Sequence, residues 1–112
     1  MLTVCLVDEA LQDECVSVVQ RRDDEGAFLI RIGELETVVT ILLRKTWGSH
    51  TAFRQSHAIQ TPRQHAPDWS CAAEAETPGD ALRKAISGLT MHYRLAVREG
   101  YAPAEDWLVP RR

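Results

Sequence analysis

The sequence predicts an α+β fold: a mainly antiparallel sheet of four to six strands packed on one long helix, residues 78–99, with an extended tail after it. Three observations carry that expectation. Residues 77–100 hold a complete helix signature, from cap to terminating glycine. Most of residues 1–76 is short β-favouring runs separated by turn residues. Pro103 and Pro110 keep residues 101–112 from continuing the helix. The 112 residues form one domain's worth of chain, 45% apolar and 26% charged, so a core can form without disulfides or metal.

Residues 2–7 read as a short strand. Asp8 to Glu14 favours helix locally, but the crowded β-branched Val16, Val18 and Val19 favour strand, and residues 14–22 are assigned to strand. Asp23-Asp24-Glu25-Gly26 is a turn, and residues 27–32 form the returning strand of a hairpin, with Phe28, Ile30 and Ile32 on one face.

Gly33-Glu34 interrupts the pattern, after which Thr37 to Trp47 and His50 to Gln60 form two β-rich runs around Gly48-Ser49. A two-residue loop with Gly first fits a type II′ turn and sets Trp47 opposite His50, Leu43 opposite Arg54 and Val39 opposite Ala58. In that register Val39, Ile41 and Leu43 share a face with the small Ser56 and Ala58, leaving room for a helix. Val38, Thr40, Leu42, Arg44, Phe53, Gln55 and His57 take the other face.

Residues 61–67, with two prolines, form a loop, and Asp68 to Ala73 a last short strand with Trp69, Cys71 and Ala73 on one side. Thr77-Pro78-Gly79-Asp80 then starts the helix. Thr77 can accept from the amide three residues on, Pro78 suits the first helical position, and Asp80 favours the dipole. Leu82, Ala85, Ile86, Leu89, Tyr93, Ala96 and Val97 follow the helical spacing, and Gly100 stands where a left-handed residue ends it. Gly88 hints at close approach of another backbone. In the tail, Trp107, Leu108 and Val109 either fold back on the domain or meet a partner; fold-back is the expectation, because an exposed cluster of this kind is unusual.

Cys5, Cys15 and Cys71 make no Cys-x-x-Cys pair, and each lies beside apolar residues, so buried, inert thiols are expected. The amino terminus lacks the basic region of a signal peptide, and no apolar run approaches the roughly 20 residues of a membrane span. The expected location is the reducing cytoplasm.

The formal net charge of −3 conceals a segregation. Residues 1–36 hold nine acids and three bases, whereas residues 37–65 hold no acid and four bases, Arg44, Lys45, Arg54 and Arg63. His50, His57 and His65 add positive charge to that segment as pH falls towards about 6. The hairpin tip thus gathers Arg44, Lys45, His50 and Arg54 beside Trp47 and Phe53. Such a ribbon can dock on an acidic protein surface or track a phosphate backbone and stack bases. It can equally be the internal counter-charge to the acidic amino-terminal strands.

Catalytic signatures are missing. His50 and His57 are seven apart, which puts them on opposite faces of one strand, and His65, His92 and Cys71 stand on other elements, so no metal is expected. No Gly-x-Ser-x-Gly elbow, Walker loop or dinucleotide fingerprint occurs, and no cofactor or catalytic residue is assigned.

Trp69-Ser70-Cys71-Ala72 leading into Thr77-Pro78-Gly79-Asp80-Ala81-Leu82-Arg83-Lys84-Ala85 resembles, over residues 69–91, the strand-to-helix joint of small α+β accessory proteins of phages and prophages. The resemblance implies a small cytoplasmic protein that acts by binding, as a blocker of a host or defence component. Together these expectations give a non-enzymatic protein-binding module whose site is Arg44, Lys45, Trp47, His50, Phe53, Arg54 and the tail's Trp107. Its partner would present an acidic surface. A nucleic-acid-binding β-ribbon and a small enzyme without local motif are the alternatives, and a homodimer stays open.

Overall fold

In the computed structural model, which describes residues 6–48, 50–67, 69 and 74–111, an antiparallel five-stranded sheet packs on one long helix. The elements are α1 (Val7–Ala10), β1 (Val16–Arg22), β2 (Ala27–Ile32), β3 (Val39–Lys45), β4 (Thr51–Gln55), β5 (His57–Ile59), β6 (Glu74–Ala75), α2 (Pro78–Arg98) and β7 (Leu108–Pro110). The sheet order is β1-β2-β3-β4-β6, and β5 pairs with β7 in a separate two-stranded sheet. The α+β expectation holds.

The strand assignment for residues 14–22 holds as β1, whose hairpin with β2 sets Arg22 opposite Ala27 and carries a bulge between Val18 and Gln20. Residues 2–5 of the expected first strand lie outside the described residues. Its end is corrected: Val7–Ala10 is a helical turn, closed by Ala10 and Leu11 amides donating to the Leu6 and Val7 carbonyls. Asp8 and Glu9 suit the start of that turn, and Ala10 and Leu11 are buried in the core.

The hairpin register differs from expectation by one residue. Leu42 pairs with Arg54, Leu43 with Phe53 and Lys45 with Thr51, and the Thr46 amide donates to the His50 carbonyl at 2.9 Å. The strands join through residues 47–49, with Gly48 at φ +67°, rather than through a two-residue turn. A one-residue slip exchanges every side chain between faces. The observed register places Phe53, 8% exposed, beside Ile41 and Leu43 in the core, where the expected one put Ser56 and Ala58. Burial of an aromatic ring outweighs the two-residue turn preference.

The second run also does not continue as one strand. At Ser56 the chain leaves β3: the Ser56 amide donates to the Thr40 carbonyl, and the Ser56 hydroxyl accepts from the Thr40 amide at 2.8 Å. β5 then turns to the tail, with Ala58 opposite Val109 rather than Val39. Of the strand expected at 68–73, only Trp69 is described; β6, the two residues that follow that range, pairs with β4.

The helix begins as expected. The Thr77 hydroxyl accepts from the Asp80 amide at 3.1 Å and donates to the Asp80 carboxylate at 2.8 Å. Leu82, Ala85, Ile86, Leu89, Tyr93 and Ala96 are buried against Phe28, Ile30, Ile32, Val39 and Ile41 from the sheet. Val97 departs from the pattern and is exposed, and Gly100 ends the helix at φ +96°. No backbone approaches Gly88. The close backbone approach is at Gly26 (φ +65°), where an added Cβ would meet the Leu43 carbonyl at 2.6 Å; at Gly33 (φ +52°) it would run into the Tyr93 ring, whose hydroxyl accepts from the Glu34 amide.

The tail folds back. Trp107 is 4% exposed and meets the Tyr93 ring edge-on at 5.9 Å. A single 3-10 turn, Glu105–Trp107, precedes β7, so the tail is not extended throughout. The Glu105 carboxylate accepts from the Glu36 and Thr37 amides, which pulls its pKa below the ordinary glutamate value.

Candidate interaction surface

Alternation along the strands gives the sheet two unlike faces. The face against α2 carries Phe28, Ile30, Ile32, Val39, Ile41 and Phe53, all buried. The other face has no layer over it among the described residues. Its register can be followed strand by strand. Arg22, Ala27, Leu42 and Arg54 form one row across β1 to β4; Gln20, Leu29 and Thr40 form the next; Arg44, Ala52 and Glu74 lie beyond the first row, and Arg31 beyond the second. Four arginines thereby surround a centre of Ala27, Leu29, Leu42 and Thr40. With strands about 4.8 Å apart, Arg22 and Arg54 stand about 14 Å apart across it.

The β3–β4 hairpin extends this face. Trp47 is 93% exposed and shares a shallow groove with Arg44, Lys45 and Thr46. Arg44 and Arg54 border a second concavity of about 430 Å³ floored by Leu42 and Ala52, with Glu25 at its margin. His50 is exposed next to the loop. Five of the seven expected site residues, Arg44, Lys45, Trp47, His50 and Arg54, are therefore exposed on or beside the hairpin. Phe53 and Trp107 are not: both sit in the core, Phe53 because of the register and Trp107 because the tail docks.

The hairpin bases lie near the acidic amino-terminal turn, Arg44 and Lys45 lining a concavity with Asp23, Asp24 and Glu25, but form no ion pair with it among the described residues. The ion pairs of that region fall to other residues. Arg21 bonds Asp8 at 2.8 Å and Asp23 at 2.6 Å, Arg22 reaches Glu25 at 3.4 Å, and Arg94 bonds Asp13 at 2.6 Å. The Arg21 guanidinium holds the Asp23 carboxyl below its ordinary pKa. Arg31, Arg44, Lys45 and Arg54 have no ion pair or side-chain hydrogen bond among the described residues.

Sequence reading missed Arg22, Arg31 and Leu29 as parts of this face. Their alternation with Phe28, Ile30 and Ile32 was visible, but joining them to Leu42 and Arg44 requires the β2–β3 pairing, which no turn between the two strands announces. Cys15 is only half-buried, with its sulfur 3.2 Å from Arg94 Nε, whereas a buried thiol was expected; Cys5 and Cys71 lie outside the described residues. Among the described residues no three His, Cys, Asp or Glu side chains converge, and no helix is long and apolar enough to cross a membrane. A groove of about 950 Å³ runs between β6 and the first turns of α2 and mixes Glu74, Glu76 and Asp80 with Arg83 and Lys84. Its mixed signs favour no ligand charge. No family model matches the chain, and neither a curated protein nor a solved structure is significantly similar to it.

Proposed function

We propose that the protein is a non-enzymatic binding module that docks an acidic protein surface on its uncovered sheet face and β3–β4 hairpin tip. One observation carries this reading: Arg44, Lys45 and Arg54 have no ion pair among the described residues, and Arg44 and Lys45 share a groove with a Trp47 that is 93% exposed. A desolvated aromatic anchor ringed by basic groups is the usual composition of an interface hot spot, and unpaired arginines can form charge-assisted bidentate bonds with carboxylates. The resemblance of the strand-to-helix joint to phage accessory proteins supports a cytoplasmic inhibitor or accessory role.

The test is a pull-down from lysate of the source cell with wild-type protein and an Arg44→Glu/Lys45→Glu/Arg54→Glu variant. The variant should lose the captured partner while its thermal melt stays within about 0.5 kcal/mol of wild type, because the three side chains are on the surface. Unchanged capture would remove the hairpin from the account. A gel shift with duplex and single-stranded probes at low salt tests the nucleic-acid alternative; a shift falling steeply with salt would favour it.

A further inference from the structure

Resting on that reading, we infer that the partner element is an acidic amphipathic helix lying across the uncovered sheet face. Among the described residues the sheet has a helix on one side only. α2 covers the inner face with an apolar stripe, and the opposite face repeats the requirements for a second helix with the charges changed. Leu42, 47% exposed, and Leu29 form an apolar centre on adjacent inner strands β3 and β2. The unpaired Arg54 and Arg22, whose solvent-exposed contact with Glu25 at 3.4 Å a partner carboxylate would have to exchange, flank it about 14 Å apart, enough for one helix about 10 Å wide, while Arg31 and Arg44 mark the two ends.

Complementarity then dictates the occupant. Apolar residues at i, i+3, i+4 and i+7 would rest on Leu29 and Leu42, and carboxylates on either side would meet the flanking arginines. The small Ala27 and Ala52 beside Leu42 let a helix approach closely. A featureless acidic coil would satisfy the arginines but leave the leucines wet, so order of the peptide, not charge alone, should govern affinity.

The probes are two synthetic 18-residue peptides of the same Leu/Glu/Ala composition, one with leucines at i, i+3, i+4 and i+7 and one shuffled. Each is titrated into isotope-labelled full-length protein and followed by amide shifts. The ordered peptide should bind at least tenfold more tightly than the shuffled one, moving β2 and β3 amides most. Leu42→Glu should abolish that preference while leaving the melt unchanged, and Leu42→Met should keep it. Equal affinity of the two peptides would overturn the helix while the basic-surface reading stands. Failure of both peptides, with pull-down still dependent on Arg44, Lys45 and Arg54, would overturn it too. Shifts confined to α2 would overturn both.

Discussion

Ile41 and Leu42 are neighbours on β3, yet one is fully buried and the other is half exposed. The two faces they represent do different work. The Ile41 face meets α2 and is almost wholly apolar, with Phe28, Ile30, Val39 and Leu89 closing around it. The Leu42 face carries arginines at its margins and nothing over its centre. A sheet hydrophobic on one side normally alternates with a polar, solvated side. Here the second side is compensated only in part: Arg22 meets Glu25, while Arg31, Arg44 and Arg54 have no ion pair among the described residues. The acids of the amino-terminal region are bound to Arg21, Arg22 and Arg94, and the hairpin bases are left over. Stability therefore resides on one face and unspent charge on the other.

The largest expected effect is on the inner side. Trp107→Ala should cost about 3–5 kcal/mol, because it empties a core site against Tyr93 and undocks the tail. A chemical-denaturation midpoint close to wild type would show that the tail contributes little. Ile41→Ala should cost about 2–4 kcal/mol, whereas Leu42→Ala on the same strand should stay within about 0.5 kcal/mol. Equal losses would break the distinction between faces. A fourth substitution changes sign: the Thr51 hydroxyl is buried without a hydrogen-bond partner among the described residues, so Thr51→Val should raise stability by about 1 kcal/mol. A lowered melt would mean that the hydroxyl is satisfied.

Acidification gives the smallest and most graded effect. Burial depresses the pKa of His57, so the unfolded chain binds that proton more readily, and stability falls as pH drops below about 6.5. The Glu105 carboxylate, held below its ordinary range chiefly by the Glu36 amide, stabilises the tail above about pH 4.3 and loses that contribution as pH falls through its folded value. Resonances of β7 should thus respond in two steps, the His57 step first. A His57→Gln variant should lose only the upper step, and a single unchanged transition would contradict the assignment.

Much of the scaffold was legible in the sequence because it is locally encoded. Thr77, Pro78 and Asp80 specify the helix start by side-chain chemistry within one turn, and the Asp23–Gly26 turn sets the β1–β2 hairpin. The errors arose where long-range packing decides. The β3–β4 register turned on whether Phe53 or Ala58 faces the helix, and a Gly-Ser loop does not carry that information. Thr51 and Gln55, both buried on the inner side of β4, disguise its core face as a polar one. The candidate surface was half visible for the same reason: Arg44, Lys45 and Arg54 are contiguous in the hairpin, but Arg22 and Arg31 join them only through the ladder from β1 to β3.

In the proposed complex the uncovered sheet face, and not the charged side of the helix, meets the partner. The most direct measurement compares partner capture by two matched reversals, Arg31→Glu/Arg54→Glu on the sheet and Arg83→Glu/Lys84→Glu on α2. Both pairs are exposed, so both variants should melt like wild type. Capture should be lost for the sheet pair and retained for the helix pair; loss confined to the helix pair, or equal loss in both, would contradict the claim.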